Sequence, residues 1–350
     1  MKRILVTGGA GFIGSHTCLE LLDKGYEVHV VDSFVNSFPC VIDKVSSIIS
    51  KKERNFEKNF YFYKGDIRDK NFLREIFNKL DKKGKSFDAV IHFAGLKAVK
   101  ESIMQPLKYW NNNFCSTLIL LEVMKDYKCN TFIFSSSATI YGFTKNYTIK
   151  ENNQISPINP YGNTKATIEQ LLNDLYNSNP SIWKIANLRY FNPIGAHPSG
   201  LLGEMPTDIP NNIFPIINKV ASKKLKKLSI FGNDWDTPDG TCLRDYIHVM
   251  DLVDGHILAL EKLLFEDSKI LNLNLGTGKG TSVLELVKTF EKVNNVEIPY
   301  LFTKKREGDS SKSIADNSLA YNVLSWKPKR SLEEMCKDGW NWYKTYSELI

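Results

Sequence analysis

The run Ile4-Leu5-Val6-Thr7-Gly8-Gly9-Ala10-Gly11-Phe12-Ile13-Gly14 joins a short apolar segment to a glycine-rich turn, and Cys18, Leu19, Leu21 and Leu22 continue it at helical spacing until Gly25. The apolar residues ahead of the glycines read as a buried strand, Ile4 to Thr7. Glycines are needed because the chain must turn sharply, let a pyrophosphate approach its backbone, and let the helix pack closely on the strand. The helix N-terminus then faces the phosphates. A second strand, Val28 to Val31, ends in Asp32, 18 residues beyond Gly14. An acid there accepts a hydrogen bond from the adenosine ribose 2′-hydroxyl and repels a 2′-phosphate. Strand, glycines, helix, strand and acid in this order predict NAD as cofactor.

Further along, strands and helices alternate: strand Phe60 to Tyr63 leading to Gly65-Asp66, a helix near Phe72 to Leu80, strand Ala89 to Phe93, a helix near Asn112 to Lys125, and strand Thr131 to Phe134. That alternation predicts an α/β fold, a doubly wound parallel (Rossmann) sheet with its ligand at the carboxyl ends of the strands. Asp66 and Ile67 then flank the adenine, and Ala94-Gly95-Leu96-Lys97 offers small residues where a ribose comes close. Asp66 as a mere helix cap and Gly95 as a mere turn remain open alternatives. If Tyr161 opens a helix, Lys165 lies one turn along on the same face. A free tyrosine, with a pKa of about 10, is a poor base near neutrality, but a fixed ammonium and a nicotinamide cation both favour its phenolate. Ser137, the last of the triplet Ser135-Ser136-Ser137, is placed to hold a substrate hydroxyl against it.

A strand from Trp183 closes at Leu188-Arg189-Tyr190-Phe191-Asn192-Pro193, after which prolines at 193, 198, 206, 210 and 215 mark loops able to cover a ligand. The expected division is a Rossmann domain over 1–189 and a smaller mixed α/β C-terminal substrate domain over 190–350, with part of 245–264 packing back on the first. At 350 residues, 42% hydrophobic and 24% charged, the chain can bury a sizeable core. Its net charge of +7 is scattered, and the densest runs, Lys51 to Arg54, Lys82 to Lys85 and Lys223 to Lys227, read as solvated faces rather than a nucleic-acid surface. The six cysteines lack metal-type spacing and fit reduced cytoplasmic thiols. His197, His248 and His256 show no ligand spacing, so no metal is expected. The first apolar run is too short for a signal peptide and no stretch is long enough to span a membrane.

The glycine run, Asp32, His92-Phe93-Ala94-Gly95-Leu96-Lys97, Phe134-Ser135-Ser136-Ser137-Ala138-Thr139, and Tyr161 with Lys165 resemble the extended short-chain dehydrogenase/reductase superfamily, and within it the UDP-glucose 4-epimerase family, from Ile4 to about Trp340. The resemblance implies NAD-dependent inversion at C4 of a UDP-hexose through a 4-keto sugar, with Tyr161 as base, Ser137 holding the substrate oxygen and Lys165 holding the nicotinamide ribose. Around NAD it implies Gly8, Gly11, Phe12, Ile13, Gly14, Asp32, Ser33, Asn36, Ser37, Asp66, Ile67, Phe93, Ala94, Gly95, Lys97, Asn112 and Phe191. Around the nucleotide sugar it implies Asn192, Asn212, the short strand Ser229-Ile230-Phe231, Arg244, Arg306, Asp309 and Ser313. The chemistry agrees in kind, since a guanidinium such as Arg244 or Arg306 holds a diphosphate with charge-assisted hydrogen bonds; Arg244 as a plain ion pair with Asp245 is the alternative.

Ser33 departs from the asparagine common in the family, and Ser37 to Asn59 is longer than in many relatives, expected as a helix plus a basic surface loop. A small residue at Ser313 implies room for an N-acetyl group at C2, unless it is a loop serine of no consequence. The resemblance further implies a homodimer joined through helices that include Asn112 to Lys125. A 4,6-dehydratase is the nearest rival, but such enzymes resemble one another in carrying an acidic pair where this chain has Ala138 and Thr139. A non-catalytic dinucleotide sensor commonly lacks the Tyr and Lys present here, and a plain alcohol dehydrogenase does not account for the second half.

Overall fold

The computed structural model describes residues 1–51, 56–144, 148–206, 212–306 and 308–346. The basic run Lys51 to Arg54 falls mainly outside them. The chain divides into two compact units, one comprising Met1–Gly142, Gln154–Arg189 and Val253–Leu273, the other Phe143–Asn153, Tyr190–Leu252 and Asn274–Ile350.

The first unit is built on five strands in chain order, β1 (Arg3–Thr7), β2 (Glu27–Asp32), β3 (Phe60–Lys64), β4 (Ala89–His92) and β5 (Thr131–Ser137). They join Lys184–Tyr190 and Ile270–Leu275 in a seven-stranded sheet, ordered from one edge Ile270–Leu275, Lys184–Tyr190, β5, β4, β1, β2, β3. The pairs β1–β2, β1–β4, β2–β3 and β4–β5 are parallel. Strand order reverses between β1 and β4, the switch point at which doubly wound sheets bind their ligands. Every residue of β2 and β4 is buried, as parallel strands covered on both faces require.

The helices show why these residues pack so. Lys70–Asp81 buries Leu73, Ile76, Phe77 and Leu80, spaced three, four and seven apart. Each such side chain removed from water contributes roughly 1.5–3 kcal/mol. Asp69 caps this helix, accepting from Asn71 and Phe72 N–H at 3.0 and 3.1 Å. Asp66, the expected alternative cap, pairs instead with Arg68. The segment after Ser37 forms the helix Cys40–Ile49 and a 3-10 turn Phe56–Asn59.

Two elements differ from the sequence expectation. Strand β5 runs three residues past Phe134 and so carries all three serines. The helix expected from Asn112 opens as a π-helical turn, Trp110–Cys115, before the α-helix Ser116–Asp126. A π turn widens the local backbone and often marks a functional site.

The second unit holds a four-stranded sheet ordered Thr281–Ser282, Leu243–Arg244, Lys312–Ala315, Thr148–Ile149, and two two-stranded sheets. Its core gathers Phe214, Ile217, Leu286, Val287, Phe290, Trp340 and Trp342. The helix Val283–Asn294 begins in a capping box of Ser282 and Glu285.

Candidate active site

At the carboxyl end of β1, Gly8 has φ +70°, and a Cβ there would lie 2.6 Å from Ala94 N. A Cβ on Gly14 would run into Gly8 O and come within 2.9 Å of Gly9 Cα. The turn therefore exists only with bare backbone at these points, and it brings the ends of β1 and β4 together on either side of the switch point. Gly11 caps the helix Phe12–Asp23 without a side chain, so the Phe12 and Ile13 N–H groups belong to the orphan donors of a helix start. Asp32 is 7% exposed and accepts from Ala10 N at 3.0 Å, Phe34 N at 2.9 Å and Ser37 Oγ at 2.8 Å. A carboxylate has about four acceptor sites, which leaves one on Oδ2 for a ribose hydroxyl. Bare glycine backbone, a free helix N-terminus and this carboxylate fit a dinucleotide.

Ser37 thus acts on Asp32, whereas Ser33 and Asn36 are exposed on the loop that follows. Asp66 is held low in pKa mainly by hydrogen bonds from Arg68, and Ile67 beside it is buried. Phe93 packs its ring on His256 at 4.9 Å, Ala94 and Gly95 are half-buried, and Lys97 is exposed. Asn112 is half-buried, with its amide on Lys108 O at 2.8 Å.

The strand end and the Tyr161 helix face one another. Asn159 caps the helix Pro160–Ser178, accepting from Gly162 N at 2.8 Å, with Pro160 in its first turn. Ser137 lies near enough to the Tyr161 phenol to draw its pKa down against the effect of burial. Ser137 Oγ accepts from Thr139 N at 3.2 Å and Thr139 Oγ1 at 2.9 Å, which leaves its own proton for an oxygen placed between it and Tyr161. Lys165, 5% exposed, donates to Ser135 O at 2.6 Å and sits 4.6 Å from the Phe134 ring centre and 6.0 Å from that of Tyr161.

The electrostatics qualify the phenolate expectation. Burial pushes the Tyr161 phenol up, and the nearby Ser137 hydroxyl opposes that only in part. Burial pushes Lys165 down to about 7 against the pull of Glu169. The residues are assembled, but the protein alone does not hold Tyr161 ionised; a cation bound close to the phenol is needed to complete the base.

In the second unit, Arg244 and Ser313 are register partners on neighbouring parallel strands and so share one face of the sheet. Ser313 is a strand residue, Lys312–Ala315, not a loop serine. Arg244 donates to Leu243 O and Ser310 O at 3.0 and 2.9 Å and pairs with Asp309 at 3.6 Å. Asp245, its partner in the alternative reading, turns away, accepting from Thr277, Gly278 and Ala315 N–H. The Arg306 guanidinium stacks 3.7 Å from the Phe231 ring centre, on the strand Leu228–Phe231, where Ser229 is exposed and Ile230 buried. Phe231 O already accepts from Trp235 Nε1 at 3.1 Å, so it is not a free edge carbonyl. Asn192 is exposed in the strand Asn192–Ile194 beside buried Phe191, and Asn212 is exposed at the start of the helix Ile213–Ala221.

Sequence reasoning passed over two residues. Asn113, 1% exposed, accepts from Leu96 N at 2.8 Å and donates to Leu96 O and Thr164 Oγ1 at 3.0 and 3.2 Å, tying the loop after β4 to the Tyr161 helix. Thr139 orients Ser137. The run of three asparagines, 111–113, hid which of them is buried. Among the described residues no cluster of His, Cys, Asp or Glu could hold a metal ion, and no helix is long and apolar enough to cross a membrane.

A family model described as GDP-mannose 4,6 dehydratase matches residues 5–339. A UDP-glucose 4-epimerase of Bacillus subtilis is 49% identical over 339 residues, 97% of this chain and 96% of that protein. The UDP-glucose 4-epimerase of Stenotrophomonas maltophila, crystallised with NAD and formylated UDP-arabinopyranose, superimposes with a TM-score of 0.93 at 41% identity over 100% of both chains. That of Bifidobacterium longum, with NAD+ and UDP, gives 0.91 at 44% identity, again over 100% of both.

Proposed function

Since the chain belongs to the UDP-glucose 4-epimerase family, we propose that it interconverts UDP-glucose and UDP-galactose by inversion at C4, with NAD kept bound through the cycle. Gly8, Gly11, Gly14, Phe12 and Ile13 hold the pyrophosphate by backbone, and Asp32 holds the adenosine ribose. NAD, when bound, supplies a reversible hydride acceptor for C4. Tyr161 takes the proton of the sugar 4-hydroxyl, Ser137 holds the same oxygen, and Lys165 binds the nicotinamide ribose and keeps a positive charge near the phenol. The 4-keto sugar keeps its diphosphate on Arg244 and Arg306 while the ring turns about that link. The hydride that the cofactor would hold then returns to the opposite face of C4, and Tyr161 gives the proton back to the same oxygen.

The observation that carries this reading is buried Lys165 one helical turn behind Tyr161, its ammonium held on Ser135 O at 2.6 Å and 6.0 Å from the Tyr161 ring centre. The 4,6-dehydratase alternative lacks support, because Thr139 spends its hydroxyl on Ser137 and no carboxylate stands at 138 or 139. Purified protein should convert UDP-galactose to UDP-glucose without added cofactor; free NADH accumulating in step with turnover would sink the reading.

Three finer readings accompany it. Small Ser313, beside Arg244 in register, favours acceptance of the N-acetylated pair. A homodimer is favoured by Ile103, Met104 and Leu107, which are 61, 70 and 83% exposed on consecutive short helices, an apolar patch of the kind that partners cover. A cytoplasmic location is favoured by six cysteines, all free thiols.

A further inference from the structure

The three serines that end β5 each face a different residue of the helix Pro160–Ser178, and the first two are held by it. Lys165 Nζ donates to Ser135 O at 2.6 Å, Ser136 Oγ donates to Glu169 Oε1 at 2.5 Å, and Ser137 lies near the Tyr161 phenol. Tyr161, Lys165 and Glu169 are spaced by four and so line one face of that helix. The first two meet the reaction directly. Glu169, 2% exposed, reaches only the protein.

Its partners explain what it does there. Arg189, 3% exposed, donates to Glu169 from Nε at 3.0 Å and from Nη2 at 2.6 Å, and from Nη1 to Tyr141 OH at 2.8 Å. Tyr141 ends the 3-10 turn Ala138–Tyr141 that begins directly after Ser137. The ring of contacts is therefore closed: strand end to helix through Ser136 and Glu169, helix to the strand Lys184–Tyr190 through Arg189, and that strand to the turn after Ser137 through Tyr141. Nothing in packing alone demands an ion pair at this point, since a buried pair commonly does no better for stability than apolar side chains of the same volume. What apolar contacts lack is direction. A two-pronged guanidinium on a carboxylate fixes distance and angle together.

We propose that Glu169, gripped by Arg189, is a positioning residue that sets the strand end against the helix so that the Ser137 and Tyr161 hydroxyls converge on one substrate oxygen. This rests on the C4 inversion proposed above. Each hydroxyl is useful only within hydrogen-bond reach of that oxygen, and the strand and the helix share no covalent link closer than the loop between them. The Ser136–Glu169 bond is the link whose loss changes that separation without touching either reacting group.

Two variants test it, each read by kcat, by KM for UDP-galactose, by NAD retained on the purified protein, and by amide hydrogen exchange. Glu169→Gln keeps the size of the side chain but turns an N–H toward Arg189. It should lower kcat on the order of 10²-fold, the scale of a small misplacement, with KM and retained NAD unchanged. Ser136→Ala leaves the ion pair whole and guards against a Glu169 variant that does not fold; the loss of one hydrogen bond should lower kcat roughly tenfold, again without change in KM. In both, exchange should rise within 134–141 and 161–169 alone. Unchanged kcat in a folded variant, or kcat and KM worsening together with faster exchange across the whole first unit, overturns the proposal. A native protein inactive on UDP-galactose would remove the functional reading instead, and the exchange map of Ser136→Ala, which needs no turnover, would still decide the positioning role.

Discussion

At Lys165 burial and function pull against each other. Folding lowers its pKa from 10.5 to about 7 by desolvation, so between those values the unfolded chain binds the extra proton and native stability rises with pH. Below about 7 the full cost of burying the ammonium is present. Lys165→Met removes that cost and adds a constant loss for the unmet Ser135 carbonyl. The melting temperature of Lys165→Met relative to the native protein should therefore be highest at low pH and fall as pH climbs through this window; a pH-independent difference would mean that Lys165 titrates normally. Tyr161→Phe deletes the proton acceptor with little change in volume, and turnover should drop by about 10² to 10⁴ with NAD still retained. A loss under tenfold would take the role of base from Tyr161. Ser313 carries the prediction on substrate range: the native protein should turn over UDP-N-acetylgalactosamine as well as UDP-galactose. Ser313→Tyr fills the face it shares with Arg244, and overpacking of about 1–3 kcal/mol should remove chiefly the N-acetylated activity. Equal rates on both sugars in both proteins would refute the pocket.

Among the elements, the turn from β1 into its helix is the least tolerant. Alanine is the better helix former by about 1 kcal/mol, so Gly14→Ala would stabilise an exposed helix. Here the added methyl meets Gly8 O and Gly9 Cα, which are backbone and cannot swing aside. The clash should win, at about 1–3 kcal/mol or more, by pushing the helix off the strand and spoiling the pyrophosphate cradle. Gly14→Ala should thus melt earlier and elute without NAD, while a variant that melts later and keeps its NAD would show that the turn has slack. The same close fit made this element readable from sequence, because only glycine solves it. The strand Ile270–Leu275 was not foreseen, although Leu271, Leu273 and Leu275 alternate with Asn272 and Asn274; it begins 80 residues beyond the end of its sheet neighbour Lys184–Tyr190, and local pattern says nothing of such a partner.

For the molecule as a whole, the exposed apolar run on the helices Val99–Met104 and Pro106–Tyr109 predicts self-association. Sedimentation at micromolar concentration should give a mass of two 40.0 kDa chains, and Leu107→Glu, which sets a charge in that patch, should return the mass of one without loss of bound NAD. A native protein sedimenting as a single chain would leave the patch to another partner. The charge of +7 needs no such partner: Lys82 to Lys85 and Lys223 to Lys227 are solvated at the ends of helices, where desolvation costs nothing.

The sequence by itself determined the doubly wound sheet, its nicotinamide dinucleotide and the placing of Tyr161 and Lys165 on one helix face, because each depends on local necessities: bare backbone at a phosphate, an acid at a ribose, a spacing of four on a helix. Tertiary structure alone decided which asparagine of 111–113 is buried, that Arg244 pairs with Asp309 rather than with its neighbour Asp245, and that Glu169 and Arg189 brace the strand end. Those pairings join residues from 20 to more than 60 positions apart, or set chain neighbours on opposite faces of a strand. The direction of the Tyr161 and Lys165 shifts belongs there too, since desolvation is a property of everything packed around a group and no spacing along the chain encodes it.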